Sequence, residues 1–497
     1  MEYAIAVVDV GMTNKKVAVY DDGLRQLDSG YRSFAPRIVD GLETHDLDAM
    51  EDWILGELAR AAARFDVRAV AVSTHGATFV CIGENGRAAI PCVYYTHEPG
   101  GDFHRDFYAA FGDSAELQER TGTAAFDAMI NPAKGLFFAK RRFPERFADV
   151  TAVLPYPQYW GFRLTGKTGM EGTYMGCHTY LWDRVSGGLS SVARDLGIAG
   201  LLPGKLGKPW DVLGKVSGEV AERTGLSTET PVTLGIHDSN AAMLPHFAKR
   251  GEAGFTINST GTWCVTMNPV RESRFEPGEL GRTVFFNISA LGTPVKTAIF
   301  MGGLEMESWS RLLMARHGRS DFPAYDEALC RSLLSDADCF LFPGIVKGSG
   351  LFPDSTSRIV EGGRAWTYGE IEAGDFPPCF GDYERGFAVL RISLVMQSLS
   401  ALEMTGLIPG TDVITEGGFR RDDAYNRLLS SSLPECPVFL TDIAEASALG
   451  AAMTARMAIS GVDLAGLSGD LDVGYIEVGK SAIPEFASYR RAWLELV

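Results

Sequence analysis

The chain opens on a nearly continuous run of apolar residues. Residues 3–10 are apolar except for Asp9, and they lack the alternation typical of a strand with one wet face. Such a run predicts a strand that is buried on both faces. A polar turn at 11–14, a second strand over 16–20, a helix over 50–65 and a third buried strand over 69–73 follow. This alternation of strands and helices indicates an α/β domain.

The same order of elements begins again in the second half of the chain. A strand over 255–257, a polar glycine turn over 259–262 and a returning strand over 263–267 repeat the pattern of residues 3–20. The repetition predicts two similar domains that face each other across a cleft. We place the boundary in the stretch 245–251, which gives an N-terminal domain over 1–247 and a C-terminal domain over 248–497.

Composition narrows the class of protein. A length of 497 residues predicts two to four domains. The chain has 46 basic and 63 acidic residues, and its net charge of -17 argues against a nucleic-acid partner. The eight cysteines include no CxxC pair, which favours a reducing compartment. We find no signal peptide and no membrane span, because polar residues interrupt the uncharged stretch 253–270, and we expect a cytoplasmic protein.

Two segments match the P-loop pattern GxxxxGK[ST], at 161–168 and 474–481. A working P-loop needs a strand before its first glycine and a helix that starts at its lysine. The first match falls in a predicted aromatic helix, with Gly166 as its C-cap. The middle of the second match predicts a strand, and Pro484 follows shortly after it. We expect neither segment to bind phosphate.

The turn after the first strand has the residues of an anion site. Gly11 lets backbone N–H groups approach an anion, Thr13 adds a hydroxyl and Lys16 adds a positive charge. Asp9 could hold Mg²⁺ through water. An ordinary hairpin turn is the alternative. The turn at 259–262 offers similar donors without the charge, and two such loops face to face would hold a polyphosphate.

Three other places could contribute to a site. Asp238 follows a predicted strand over 231–234, where a carboxylate can accept a proton from a hydroxyl or can cap a helix. Gly417 and Gly418 form a turn against which a flat ligand could lie, and the small-residue helix over 445–452 suits either a nucleotide or another helix. His75 ends a strand before Gly76, and it suits either a polyol or the interior.

Taken in order, these motifs resemble the FGGY carbohydrate kinases. The resemblance rests on residues 9–14, 74–76, 156–166, 235–242, 259–263, 341–344, 416–418 and 446–452. These segments span nearly the whole chain in the order found in the family. The stretches 74–78, 156–166, 176–182 and 235–240 look most like rhamnulokinase and fuculokinase-type members.

The resemblance implies an α/β fold of two ribonuclease-H-like domains of the actin-like and sugar kinase superfamily, with a catalytic cleft between them. It implies ATP and Mg²⁺ in the cleft, and a ketose that is phosphorylated on a primary hydroxyl. A deoxyketohexose like L-rhamnulose or L-fuculose is favoured. Asp238 falls on the catalytic base, Asp9 on the metal-associated acid, and Thr74, His75 and Asp238 on the sugar contacts. The ATP contacts fall on Gly11, Thr13, Asn14, Lys16, Thr260, Gly261, Gly417 and Gly418.

Other functions remain open at this stage. A ketopentose such as xylulose or ribulose is the alternative substrate, and a non-catalytic sugar sensor or a chaperone-like ATPase is the alternative class. Asp238 and the sugar-side motifs argue against that class. Two positions depart from the family pattern, Met12 in the first loop and Phe419 after the glycine pair, and the second leaves the adenine contacts open. The sequence leaves the oligomeric state open, and a homodimer is one alternative.

Overall fold

The structure is a computed structural model that describes residues 3–252, 254–348, 350–443 and 445–497. The strands of the N-terminal half are β1 (Ala4–Val10), β2 (Asn14–Asp21), β3 (Gln26–Ser33), β4 (Arg37–Val39), β5 (Leu42–Thr44), β6 (Val67–Thr74), β7 (Phe79–Ile82), β8 (Ala152–Pro155), β9 (Met170–Glu171), β10 (Trp182–Asp183), β11 (Gly188–Leu189), β12 (Leu206–Gly207), β13 (Val212–Lys215), β14 (Pro231–Thr233) and β15 (Ile236–His237). Its helices are α1 (Leu47–Ala62), α2 (Gly101–Phe111), α3 (Ser114–Thr121), α4 (Pro132–Arg142), α5 (Pro144–Ala148), α6 (Tyr156–Thr165), α7 (Gly172–Met175), α8 (Ser191–Asp195), α9 (Gly218–Thr224) and α10 (Asp238–Arg250).

The C-terminal half has its own set of elements. Its strands are β16 (Phe255–Thr260), β17 (Cys264–Pro269), β18 (Val284–Ile288), β19 (Pro294–Phe300), β20 (Cys339–Phe342), β21 (Arg358–Glu361), β22 (Arg364–Thr367), β23 (Asp412–Gly417), β24 (Val438–Thr441) and β25 (Tyr475–Glu477). Its helices are α11 (Gly302–His317), α12 (Glu327–Asp336), α13 (Tyr368–Glu372), α14 (Tyr383–Met404), α15 (Asp423–Ser432), α16 (Ala446–Ser460) and α17 (Glu485–Leu496).

Each half is built on a mixed sheet of the same design. In the first sheet the order is β13-β14-β6-β1-β2-β3, with β15 also paired to β6, and in the second it is β18-β19-β17-β16-β23-β24-β25. The strand β1 pairs antiparallel with β2 and parallel with β6. The strand β16 pairs antiparallel with β17 and parallel with β23. The predicted repetition of an α/β domain is therefore confirmed.

Two helices join the sheets into one core. The helices α10 and α16 pack against each other, and α16 also packs against β1 and β6 of the first sheet. A single apolar cluster includes Ile5 and Ala69 from the first sheet and Ile257 and Ile414 from the second. The boundary that we predict at residues 247 and 248 lies inside α10.

In the part of the chain that the structure describes, one helix is long and apolar enough to cross a membrane. The helix α14 is 22 residues long and apolar, but 89% of its most hydrophobic window is buried inside the protein. Its side chains belong to the largest cluster of the C-terminal half, where Phe387, Leu394 and Leu402 are fully buried. The apolar sequence of α14 is therefore explained by packing within the protein.

Both P-loop matches have the secondary structure that we predicted. The first lies in α6, and Gly166 ends this helix with a φ of 72°. Lys167, which follows it, is exposed. In the second match, β25 occupies the middle, and the Lys480 Nζ donates to the Pro434 carbonyl at 2.9 Å.

The contact between α10 and α16 gives a first prediction. A Cβ added to Gly450 in α16 would lie 1.8 Å from the Ala241 carbonyl oxygen in α10. Because the contact is with backbone, which cannot move without its helix, Gly450→Ala should push the two helices apart. The expected loss in the free energy of unfolding is ~1–3 kcal/mol or more. Thermal unfolding of the purified variant measures the loss of stability.

A second helical glycine serves as the control for this prediction. Among the described residues, apart from its chain neighbours and the nearby backbone of its own helix, Gly56 in α1 has no heavy atom within 4 Å of the position that a Cβ would take. Gly56→Ala should therefore leave the protein as stable as wild type or up to ~1 kcal/mol more stable, by helix propensity alone. A Gly450→Ala variant that unfolds at the wild-type temperature would contradict the assignment of a backbone contact.

Candidate active site

Three parallel strand ends bring the predicted acidic and sugar-side residues together. Asp9 of β1 pairs in register with Ser73 of β6, and Val10 pairs with Thr74. His237 of β15 also pairs with Thr74, so Asp238 follows at the same edge. Ligands bind at this edge of parallel sheets because the chain leaves the strands there and exposes its side chains and turns.

Asp238 is the first residue of α10, and its side chain is about a third exposed, at 30%. One carboxylate oxygen accepts hydrogen bonds from the Ser239 backbone N–H at 2.6 Å and the Ser239 hydroxyl at 3.2 Å. Burial raises the pKa of Asp238 to about 6. The helix N-cap is His237, so the capping alternative does not describe Asp238. A carboxylate with this pKa remains ionised at pH 7 and is a stronger base than a free aspartate.

Asp9 is a buried carboxylate close to Asp238. Burial raises the pKa of Asp9 to about 6, and the charge of Asp238 adds to the rise. The Ser447 hydroxyl in the first turn of α16 donates to Asp9 at 2.8 Å. A buried carboxylate beside a second one is a donor set that suits Mg²⁺, which prefers oxygen ligands and retains water.

The first glycine turn lies beside Asp9. A Cβ on Gly11 would lie 2.8 Å from the Asn14 carbonyl oxygen, so the tight turn requires glycine. Thr13 and Asn14 are exposed, and the Ser33 hydroxyl donates to the Asn14 side chain at 2.8 Å. Both residues can therefore be reached from solvent.

The lysine after this turn is not free. Burial lowers the pKa of Lys16, and its ammonium lies 3.1 Å from a carboxylate oxygen of Glu445 in the C-terminal half. The other oxygen of Glu445 accepts a hydrogen bond from the Tyr31 hydroxyl at 2.9 Å. The preceding Lys15 is also buried, and its Nζ donates to the Met12 carbonyl at 2.8 Å. Lys16 thus has an internal anion as its partner.

In the second glycine turn, at 259–262, Thr260 does not offer its hydroxyl to a ligand as the resemblance implies. The Thr260 hydroxyl donates to the Glu416 carbonyl and accepts from the Phe419 backbone N–H, so both hydroxyl functions are occupied inside the protein. Gly417 has a φ of 76°, and a Cβ there would lie 2.0 Å from the Thr260 carbonyl oxygen. Thr260 therefore joins β16 to the glycine pair instead of offering its hydroxyl to a phosphate.

The backbone around this turn is open to the cleft. Gly261, Gly417 and Gly418 are exposed. Phe419 is buried and packs edge-on against Tyr425, with ring centroids 4.9 Å apart. The bulky residue after the glycine pair thus points into the core and leaves the backbone of the pair accessible.

On the sugar side, His75 has an unused nitrogen. Its Nδ1 lies 2.7 Å from the Gly76 carbonyl, which assigns the proton to Nδ1. Its Nε2 is buried and lacks a hydrogen-bond partner among the described residues. Burial lowers the pKa of His75 to about 3, so the ring is neutral at pH 7. A buried acceptor without a donor can receive a hydrogen bond from a ligand hydroxyl.

Thr74 does not offer its side chain in this way. It is fully buried, and its hydroxyl donates to the His75 carbonyl at 3.0 Å. The structure thus gives Thr74 a supporting position under His75, and the sugar contact predicted for it remains a prediction.

Other polar residues surround Asp238 that the sequence did not single out. His178 and His237 lie beside Gly76, and the charge of Asp238 contributes to the raised pKa of Tyr95, whose main cause is burial. His178 has a φ of 41°, a strained value for a residue other than glycine. The stretches that carry the family resemblance contain both histidines, but nothing in their local pattern indicates that their rings converge.

A buried glutamate supports the segment before Asp238. Glu171 accepts hydrogen bonds from the Thr173 hydroxyl at 2.8 Å and from the Thr173 and Tyr174 backbone N–H groups. The same Thr173 hydroxyl accepts from the His237 backbone N–H at 3.1 Å. This chain of contacts fixes the backbone from which the Asp238 side chain projects.

Comparison with protein families identifies the class of protein. The N-terminal domain of the FGGY family of carbohydrate kinases matches residues 4–245, and the C-terminal domain of FGGY carbohydrate kinases matches residues 252–462. The chain therefore belongs to the FGGY family of carbohydrate kinases, as its motifs indicate.

Individual relatives are distant in sequence. The L-xylulose/3-keto-L-gulonate kinase of Escherichia coli K12 is 28% identical over 43% of this chain and 42% of its own length. The rhamnulokinase of Yersinia pestis bv. Antiqua is 25% identical over 52% of this chain and 53% of its own length. The matches thus span about half the length of these curated relatives or less.

Solved structures resemble the whole chain. A carbohydrate kinase from Novosphingobium aromaticivorans has a TM-score of 0.80 and 26% identity, with 100% of this chain and 98% of that chain covered. A xylulose kinase from Lactobacillus acidophilus has a TM-score of 0.81 and 16% identity, with 99% of this chain and 97% of that chain covered. The second similarity concerns the fold alone.

The burial of Asp238 gives a prediction for the pH dependence of stability. Its folded pKa of about 6 lies above that of an unfolded aspartate, ~3.9, so the folded state binds more protons between these values. The protein loses stability as pH rises through this window, and the full loss persists above pH 6. Asp238→Asn should therefore unfold at a higher temperature than wild type at pH 7, by an amount equivalent to ~1 kcal/mol or more.

The pH profile separates this effect from a general effect of the substitution. Below pH 4 the wild-type carboxyl is protonated in both states, so the difference between Asp238→Asn and wild type should shrink towards that pH. Asp472→Asn, at an exposed position, should unfold like wild type at both pH values. A constant difference across the range would show that charge burial at Asp238 is not its cause.

Proposed function

We propose that this protein transfers the γ-phosphoryl group of ATP to a primary hydroxyl of a ketose and releases ADP and the sugar phosphate. The observation that carries the proposal is a pair of carboxylates at one sheet edge, the buried Asp9 and the partly exposed Asp238, with the neutral His75 on the sugar side. Membership of the FGGY family supports the same reaction class.

The chemistry follows from where each group lies. Asp238 accepts the proton of the sugar hydroxyl as its oxygen bonds to the γ-phosphorus, and the bond from that phosphorus to the ADP oxygen breaks. A pKa of about 6 matches this task at neutral pH, because the base is ionised yet retains affinity for a proton. Phosphoryl transfer requires positioning and charge neutralisation more than covalent participation by the protein.

The nucleotide is proposed to lie between the two glycine turns. Gly11, Thr13 and Asn14 offer donors to its phosphates from the first turn, with Gly261 opposite, and the exposed backbone of Gly417 and Gly418 faces the adenosine. Lys16 reaches the phosphates when its contact with Glu445 is exchanged. Mg²⁺ held at Asp9 would neutralise phosphate charge.

The favoured substrate is a deoxyketohexose like L-rhamnulose or L-fuculose, and a ketopentose is the second candidate. The relative named rhamnulokinase supports the first, and the relative named L-xylulose/3-keto-L-gulonate kinase supports the second. Burial of the eight free cysteines is consistent with a cytoplasmic location, where thiols remain reduced. ADP formation with a panel of these ketoses identifies the substrate, and ADP release without dependence on any sugar would favour an ATPase.

Asp238→Asn tests the base. The variant should fold and bind ATP, yet its kcat should fall by ~10²–10⁴, the usual contribution of general-base catalysis. Asp472→Asn is the matched control at an exposed position and should retain wild-type kcat. A kcat within threefold of wild type for Asp238→Asn would remove Asp238 from the mechanism.

His75→Ala tests the sugar contact. Loss of the Nε2 acceptor should lower kcat/KM for the sugar by roughly ten- to a hundredfold, because an unpaired sugar hydroxyl costs ~1–3 kcal/mol. Nucleotide affinity measured without sugar should not change. His75→Gln, which can offer an oxygen near the same place, should recover part of the loss. A large drop in unfolding temperature with intact kcat/KM per folded molecule would instead make His75 a core residue.

A further inference from the structure

Three metal-binding side chains converge beside Gly76, next to the proposed base. The Cys177 sulfur and one nitrogen each of His178 and His237 lie within 4.8 Å of one another. The His237 Nε2 is 3.9 Å from the Cys177 sulfur and 3.3 Å from an Asp238 carboxylate oxygen. One sulfur and two imidazoles thus lie within reach of a single point, and the Asp238 carboxylate lies next to His237 at the border of this group.

The backbone allows this convergence at two places. A Cβ on Gly76 would lie 2.9 Å from the His237 Nε2 and 3.0 Å from the His178 Nε2, so both nitrogens approach the glycine closely. His178 holds its position with a left-handed φ of 41°. Backbone strain of this kind persists where the surrounding structure fixes the conformation, and it is common at functional sites.

Hydrogen bonds fix which histidine nitrogen is available. The His178 Nδ1 lies 3.0 Å from the Ile130 carbonyl, so Nδ1 carries the proton and Nε2 has a free lone pair. The His237 Nδ1 lies 3.3 Å from the Asn240 amide, whose oxygen is buried without a partner among the described residues. Rotating the Asn240 amide by 180° exchanges its oxygen and nitrogen. The oxygen then accepts a hydrogen bond from the His237 Nδ1–H, and the lone pair of the His237 Nε2 is available to a metal. Anchoring of the second nitrogen is typical of metal-binding histidines.

We propose that Cys177, His178 and His237, with Asp238 as fourth ligand, form a zinc site, and that bound Zn²⁺ blocks the sugar pocket. A tetrahedral zinc ion with sulfur at ~2.3 Å and nitrogen at ~2.0–2.1 Å requires ligand separations of about 3.3–3.6 Å. Small movements of the three side chains close the observed distances. Sulfur with imidazole selects zinc over Mg²⁺, which requires oxygen.

Charge balance favours a divalent cation at this place. A free thiol at Cys177 carries a proton that a zinc-bound thiolate does not. Zinc binding replaces this proton, which leaves to solvent, and places two positive charges beside Asp238 and Asp9. Because Asp238 would then be a metal ligand, it could not accept a proton from a sugar hydroxyl. This inhibitory part of the proposal rests on the proposed function, whereas zinc binding does not.

A second group with similar residues is not equivalent. Cys339, Glu361 and Cys379 also lie close together in the C-terminal half. The group contains no imidazole, and its carboxylate is already paired with a cation, since Glu361 lies 3.3 Å from Arg385. This group therefore provides a matched control.

Calorimetric titration of the full chain with ZnCl₂, free of nucleotide and Mg²⁺, tests the binding. We expect one zinc ion per chain. Cys177→Ser should weaken its affinity by at least ~tenfold, and Cys339→Ser should leave it unchanged. Absence of binding, wild-type affinity in Cys177→Ser, or loss of binding in Cys339→Ser would each overturn the proposal.

Cobalt gives a readout that does not depend on how the variants fold. Co²⁺ added to the wild-type protein should produce a thiolate-to-cobalt charge-transfer absorption, and Zn²⁺ should displace it. In the assay of sugar phosphorylation, Zn²⁺ should inhibit competitively with the sugar and not with ATP. A bound metal without the thiolate absorption would overturn the site. Zinc binding without competition would retain the site and reject its inhibitory role, and neither result depends on which sugar is the substrate.

Discussion

The whole arrangement depends on the close contact of α10 and α16. Where Gly450 meets the Ala241 carbonyl, the two helices touch backbone to backbone, and their small residues lie between the two sheets. Asp238 is the first residue of α10, and Ser447 lies in the first turn of α16. The helix contact thus determines where the proposed base and the partner of Asp9 stand, although these residues are far apart along the chain.

The site places acidic groups where water is scarce. Burial raises the pKa of Asp9 and the pKa of Asp238 to about 6. Asp9 accepts a hydrogen bond from the Ser447 hydroxyl, and Asp238 accepts one from the Ser239 backbone N–H. Glu171 is also fully buried, and its burial raises its pKa to about 7. Carboxylates in this state are stabilised by a positive charge beside them, such as a divalent cation.

The sequence predicted what depends on local pattern and order along the chain. The run at 3–10, the glycine turn after it and the helix that ends at Gly166 all follow from periodicity and turn residues, and the structure confirms them. The helix α14 is apolar enough to cross a membrane by composition alone, because burial in a core and burial in lipid favour the same residues, and its packing inside the protein shows which of the two applies.

Features that depend on register between distant segments could not be predicted. The Thr260 hydroxyl is taken up by the Glu416 carbonyl across a parallel strand pair, and Ser447 reaches Asp9 from the opposite half of the chain. Phe419 points inward only because Tyr425 lies beneath it. No residue pattern near Thr260, Ser447 or Phe419 carries this information.

The contact between Lys16 and Glu445 has a consequence for turnover. On the proposed assignment of Lys16, a carboxylate of the protein lies where a nucleotide phosphate is expected, 3.1 Å from the ammonium. An entering nucleotide must displace this internal anion, and a departing ADP is replaced by it. Such an exchange lowers nucleotide affinity and shortens the residence time of product, and product release limits the rate of many enzymes with closing clefts. Glu445 would then compete with the nucleotide for Lys16, which favours fast product release over tight nucleotide binding.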